Sequence, residues 1–193
     1  ASTKAYVAQL LTLALFGIYL GVLRKNISAK ELRKLIAEAK QLSGKSKKVL
    51  SSSGSVKSAA KMLFKKGNFL YLGRGHNFPN ALEGALKLKE ITYAHAHGYA
   101  AGEMKHGPIA LIDEHQPVVC VVPKSSKTYS KMISSIEEIP ARMGIIVAIA
   151  TEGDHALKKR SSHIFFIPNT LELFSPILMA IPLQLFAYYI AVA

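Results

Sequence analysis

Apolar positions along this chain fall into three patterns, and each predicts a different kind of element. Ala5 to Leu23 and Leu173 to Ala193 are runs of 19 and 21 residues without a charge, long enough for a membrane-crossing helix by length alone. The first predicts one long buried helix over Ala1 to Leu23. From Ser28, a candidate N-cap, to Leu42 the pattern is instead amphipathic, with Leu32, Leu35 and Ile36 on one side of a charged helix. Ser43 to Ser58, with seven serines, two glycines and four lysines, has the composition of a linker. Beyond it the pattern becomes short and mostly apolar: Asn68 to Leu72, Pro117 to Val122, Ile145 to Ala150 and Ile164 to Ile167 predict strands. Helices are expected over Phe78 to Thr92, Ser126 to Ala141 and the closing apolar stretch. Strands that are continuously apolar and spaced by helices predict an α/β fold with a mostly parallel sheet covered by helices on both faces. Ligands bind such sheets at the C-terminal ends of the strands, so functional residues are expected just after Leu72, Val122, Ala150 and Ile167, or on the helices those loops open.

Composition changes this picture in two places. The net charge of +13 belongs mostly to Arg24 to Lys66, which carries 13 Lys and Arg against only Glu31 and Glu38. That segment contains a single aromatic, Phe64, so base stacking is not expected and the reading is a solvated lysine-rich helix and connector, with no nucleic-acid partner. The single cysteine, Cys120, sits among valines; it excludes a disulfide framework and reads as a core residue in a reducing, cytoplasmic setting.

Candidate chemistry is concentrated in two stretches. In Leu82 to Glu90, the side chains of Glu83, Lys87 and Glu90 fall on one helical stripe. Such a stripe is either a salt-bridge ladder on a solvated face or a carboxylate tuned by an ammonium for carbon-acid chemistry. Gly84 within it suggests close approach of a backbone or a ligand. His95 to Pro108, rich in glycine and alanine, reads as a tight functional loop around His106, a side chain suited to proton transfer near neutral pH. His95, His97 and His106 could converge on a metal, but without a ligand-spacing motif none is expected. Gly73-Arg74-Gly75 lacks the third glycine and the acidic residue of a dinucleotide fingerprint, and no Walker lysine follows, so no nucleotide cofactor is expected; the amides there could face an anion.

Tyr71 to Asp113, YLGRGHNFPNALEGALKLKEITYAHAHGYAAGEMKHGPIALID, closely resembles the second sugar isomerase (SIS) domain of the glutamine:fructose-6-phosphate amidotransferase family. The likeness extends through Pro117 to Pro123, Ile145 to Asp154 and Leu173 to Val192, while Ala1 to Tyr6 resembles the start of the last helical part of the first SIS domain. It is weakest from Asn26 to Gly67. The resemblance implies a three-layer α/β SIS domain over 51–193, preceded over 1–50 by a helical remnant of the first domain and a connector.

It also implies a reaction, conversion of fructose 6-phosphate and ammonia from glutamine into glucosamine 6-phosphate, through ring opening, amination and proton transfer between C1 and C2. On that reading Glu90 matches the base, Lys87 its neighbouring lysine, Glu83 a supporting carboxylate, His106 the ring-opening histidine that reaches the partner subunit's site, and Ser2 a sugar-contacting serine. The implied partners are a sugar phosphate and a second copy of the chain, with no membrane. The family's glutaminase domain, phosphate-binding serine loop and Schiff-base lysine have no counterpart in these 193 residues, which leads to the expectation of a piece inactive by itself. His97 stands where the family usually has glutamate, and Pro140 is expected to interrupt a continuous helix, both suggesting a remnant or split part. The alternative is a non-catalytic SIS module that binds a phosphosugar or a protein. Read this way, the apolar runs are helices of a soluble protein: trypsin should cut after Lys25 with or without detergent, and protection confined to intact vesicles would overturn this.

Overall fold

The computed structural model describes residues 2–193. Three helices open the chain: α1 (Thr3–Leu23), α2 (Ala29–Ser51) and α3 (Gly54–Leu63). The rest alternates strand and helix: β1 (Asn68–Gly73), α4 (Phe78–Thr92), β2 (His95–Ala100), β3 (Pro117–Val122), α5 (Tyr129–Ile136), β4 (Ile145–Thr151), α6 (His155–Arg160), β5 (His163–Ile167) and α7 (Ser175–Ala191). The five strands form one parallel sheet in the order β2-β1-β3-β4-β5.

Side chains alternate across a strand, so each contributes to two cores. Phe69, Tyr71, Val119, Val121, Val147, Ile149, Phe165 and Ile167 face α3, α4 and α7. Leu70, Leu72, Val118, Cys120, Val122, Ile146, Ala148 and Ala150 face the other way, onto Met132 and Ile136 of α5 and Leu157 of α6. Every residue of β3 is buried, which accounts for its unbroken apolar sequence. Helices therefore cover both faces of a parallel sheet, the three-layer α/β arrangement expected from the sequence.

Several local expectations are corrected. The serine- and lysine-rich stretch is not a linker but the end of α2 and the first half of α3. Leu42, Val49, Val56, Ala59, Ala60 and Leu63 are all buried, and this thin apolar stripe holds both helices to the fold while the lysines face outward, except Lys45, which pairs with Glu38. Ser28 does cap α2, in a reciprocal capping box with Glu31. His95 to Ala100, read as loop, is the edge strand β2, paired residue for residue with β1. The helix after β3 ends at Ile136, well before Ala141, and Pro140 opens a separate 3-10 turn; proline is at its first position and so removes no helical hydrogen bond. α6 had no sequence signal beyond Asp154, whose carboxylate caps it by accepting from the Leu157 amide.

The two long apolar helices have opposite fates. α7 buries twelve of its seventeen residues, Pro182 included, and is the core helix of its layer. α1, expected to be buried, is not: Ala14 and Ile18 alone are buried, while Leu13, Phe16, Tyr19 and Leu23 are more than half exposed. It contacts α2 and α7 along one side, and the described residues offer nothing to cover the rest. Ala1 lies outside the described residues.

Glycines mark the tightest approaches. A Cβ on Gly73 would lie 2.2 Å from the Asn77 carbonyl oxygen, so the turn after β1 requires glycine to let α4 start where it does. A Cβ on Gly84 would lie 2.8 Å from Leu183 Cδ2 and 2.9 Å from the Tyr71 ring, so this glycine admits α7 and the sheet and not a ligand. Overpacking there costs about 1–3 kcal/mol, more than the helix propensity alanine supplies, about 1 kcal/mol. Gly84→Ala is expected to destabilise the fold by up to about 2 kcal/mol, read as a lower urea midpoint at unchanged slope.

Candidate active site between the first and fourth helices

The stripe on α4 is real, and it is not a solvated ladder. Lys87 is only 4% exposed, and its ammonium lies 2.6 Å from the Glu90 carboxylate and 3.6 Å from that of Glu83. An ammonium taken out of water to that degree stays charged when carboxylates compensate it. Here one neighbour, Glu83, is 12% exposed and the other, Glu90, is 38% exposed. The unequal surroundings separate the two acids. Burial pushes the Glu83 carboxyl above its usual range, Lys87 pulls it part of the way back, and the charge of Glu90 pushes it up again. The hydrogen bond from Lys87 holds Glu90 below the usual range. By linkage, the contribution of Glu83 to stability is present at low pH and lost as pH rises through its folded pKa; that of Glu90 is present at neutral pH and lost as pH falls through its own.

These three side chains and Leu86 form one wall of a cavity of about 410 Å3. The other wall is the start of α1: Ser2, Ala5, Tyr6 and Gln9. Both walls show the spacing of one helical face. Tyr6, which the sequence reading did not single out, is the anchor of the second wall. Its hydroxyl donates to Asn80 Oδ1 at 2.6 Å, joining α1 to α4. Asn80, fully buried, donates in turn to the Pro176 carbonyl at 2.9 Å and to Asn77 Oδ1 at 3.2 Å, which brings in α7. Burial, then the charge of Glu83, pushes the Tyr6 phenol up to about 12.

Of the residues singled out in the sequence, Ser2, Glu83, Lys87 and Glu90 thus share one cavity, and His106 does not. It lies exposed on a 3-10 turn after β2, next to Met104, which is buried in the core on the opposite face of the sheet from α4. His95 and His97 lie side by side on the edge strand with ring centres 4.4 Å apart and planes tilted by 53°, and among the described residues no group of three His, Cys, Asp or Glu could hold a metal. In the loop after β3 the Ser126 hydroxyl and Lys127 amide donate to the Glu172 carboxylate at 3.2 and 3.0 Å.

A buried ammonium clamped between an easily protonated carboxyl and a persistently ionised one, facing a space large enough for a small metabolite, can hold and move one proton at a bound carbon acid. Known proteins carry the same arrangement of chain. The glutamine–fructose-6-phosphate aminotransferases (isomerizing) of Chlorobaculum tepidum and Aquifex aeolicus are 45% and 46% identical over 191 residues. In each case the match covers 99% of this chain and 31% of the relative, so the chain spans about a third of the length of these proteins. The solved C-terminal domain of glucosamine-fructose-6-phosphate aminotransferase from Francisella tularensis superposes with a TM-score of 0.92 at 34% identity, covering all of this chain and 54% of that one. The chain is homologous to that C-terminal domain. The SIS domain profile matches residues 62–193, which hold the whole sheet, α4 and α7, and the chain belongs to the SIS domain family.

Proposed function

We propose that this chain is the isomerase part of a glutamine–fructose-6-phosphate aminotransferase, acting on a sugar phosphate through the cavity between α1 and α4. The observation that carries the reading is the pairing of the buried Lys87 with Glu90 at 2.6 Å beside that cavity. Glu90, kept ionised by Lys87, is the base. It takes a proton from C1 of the open-chain sugar, which carries an imine at C2, and returns a proton at C2 while the C1 hydroxyl proton passes to the imine nitrogen, so that C1 becomes the aldehyde and C2 the amine with no net change in protonation. Lys87 holds the carboxylate in place and supplies positive charge where electron density moves onto the C1–C2 fragment. Glu83, the more readily protonated acid, supports Lys87 from its other side. Ser2 contacts the sugar from the facing helix.

His106 serves ring opening in this scheme from a second copy of the chain, consistent with its exposure and its distance from its own cavity wall. A homodimer follows from that role, and the partly uncovered α1 is the surface that favours such assembly. Residues 1–50 then belong with a preceding SIS domain and 51–193 form the second, although α2 packs onto α7 across that division. The buried, unpaired thiol of Cys120 suits the cytoplasm.

Proton transfer can be read without amination, as deuterium from solvent appearing at C1 of fructose 6-phosphate, with this chain completed by one that supplies the phosphate-binding loop and the Schiff-base lysine. Glu90→Gln is expected to slow that exchange by about 100- to 10,000-fold, the range for a general base, with binding of fructose 6-phosphate retained. Binding by the completed assembly without exchange would leave a sugar-phosphate module and overturn the catalytic reading. The electrostatics have their own check in carboxyl 13C titrations. Glu83 should titrate at higher pH than Glu90 in the wild type, and Lys87→Met should move both upward, since each loses the ammonium that favours its charged form.

A further inference from the structure

The hydrogen bonds around Tyr6 determine which way its single proton points. The Pro176 carbonyl can only accept, so the group of Asn80 facing it at 2.9 Å is the NH2. The carboxamide oxygen of Asn80 must then face Tyr6, and a phenol meeting an oxygen acceptor at 2.6 Å is the donor. The proton of Tyr6 is thereby committed to Asn80 through three elements of the fold. What the hydroxyl can still offer is a lone pair.

We infer that Tyr6 is a substrate-reading residue whose phenol oxygen accepts a hydrogen bond from a hydroxyl of the bound sugar, so that this end of the cavity takes the hydroxyl-bearing part of the molecule and refuses its phosphate. A phosphate dianion brings acceptors and no proton, and would meet the Tyr6 oxygen and the Glu83 carboxylate together. A sugar hydroxyl brings the proton that the Tyr6 oxygen can accept. Glu83 adds charge to the same preference, because its carboxylate lines the cavity beside Tyr6. The phosphate is then directed away from the α1–α4 junction, and the orientation of the substrate is set before Glu90 acts.

This inference rests on the proposed reading of the cavity as a sugar-phosphate site, and the experiment separates the two. The full chain is labelled with [ζ-13C]tyrosine, and the Tyr6 resonance is assigned by its loss in Tyr6→Phe. Saturating fructose 6-phosphate should move that resonance, and the same concentration of inorganic phosphate should not. In calorimetry Tyr6→Phe should bind fructose 6-phosphate about 5- to 30-fold more weakly, the range for one lost hydrogen bond. The resonance is read on the wild-type chain, so the test survives if the variant folds poorly. A resonance unmoved at saturation, or an unchanged affinity in Tyr6→Phe, would overturn the role of Tyr6 and leave the sugar-phosphate site standing. No binding of fructose 6-phosphate by the wild type would overturn both.

Discussion

The arrangement of this molecule turns on one buried charge. Lys87 has almost no exposed surface, and an ammionium in that position would cost several kcal/mol without its two carboxylates. Its helix cannot rotate: Gly84, at a different point of the same circumference, is pressed against Tyr71 and Leu183 with no room for a methyl group. The rigid packing on one side of α4 therefore fixes the charged stripe on another, and α1, pinned by Tyr6, meets that stripe to enclose the cavity. The core packing and the charged stripe use the same helix, but through different faces of it.

Much of this was legible beforehand because it is written locally. The continuous apolar runs of β3 and β4 could only be strands buried on both faces, and Glu83, Lys87 and Glu90 shared a stripe by helical spacing alone. What was hidden depended on distant partners. Composition made Ser43 to Ser58 resemble a linker, because Leu42, Val49 and Val56, which keep it helical, are a stripe one residue wide in a polar background. β2 has an unremarkable sequence, His-Ala-His-Gly-Tyr-Ala, and is a strand because β1 offers it a complete hydrogen-bonding edge. α1 was read as buried from its apolarity, but burial needs a neighbour as well as a hydrophobic side chain.

The site divides in the same way. Spacing was enough to group the α4 residues, whereas Tyr6 went unremarked, since a lone tyrosine in an apolar helix is ordinarily packing. Its importance lies in a hydrogen bond to a residue 74 positions away, and its one available signal was a polar tip in the first turns of a helix facing a stretch with Asn77 and Asn80. At Gly84 the two readings open in the sequence, close approach or a ligand, resolve to close approach, and Gly73 is likewise a place where the backbone comes too close for a side chain.

The strand order has a consequence for how the molecule is made. In a sheet that is parallel throughout, no two neighbouring strands are joined by a hairpin; even β1 and β2 are separated by all of α4, and Leu70 must find Val118 across the whole of α4, β2 and the turns beyond. Each pairing closes a long loop before it gains any hydrogen bonds. Helices with good local signals, such as α2 with its capping box, can form early, but the sheet that carries the cavity must wait for most of the chain. During that interval the apolar sides of α1 and α7 are both open to water, so synthesis of this chain passes through a state far stickier than the one it ends in.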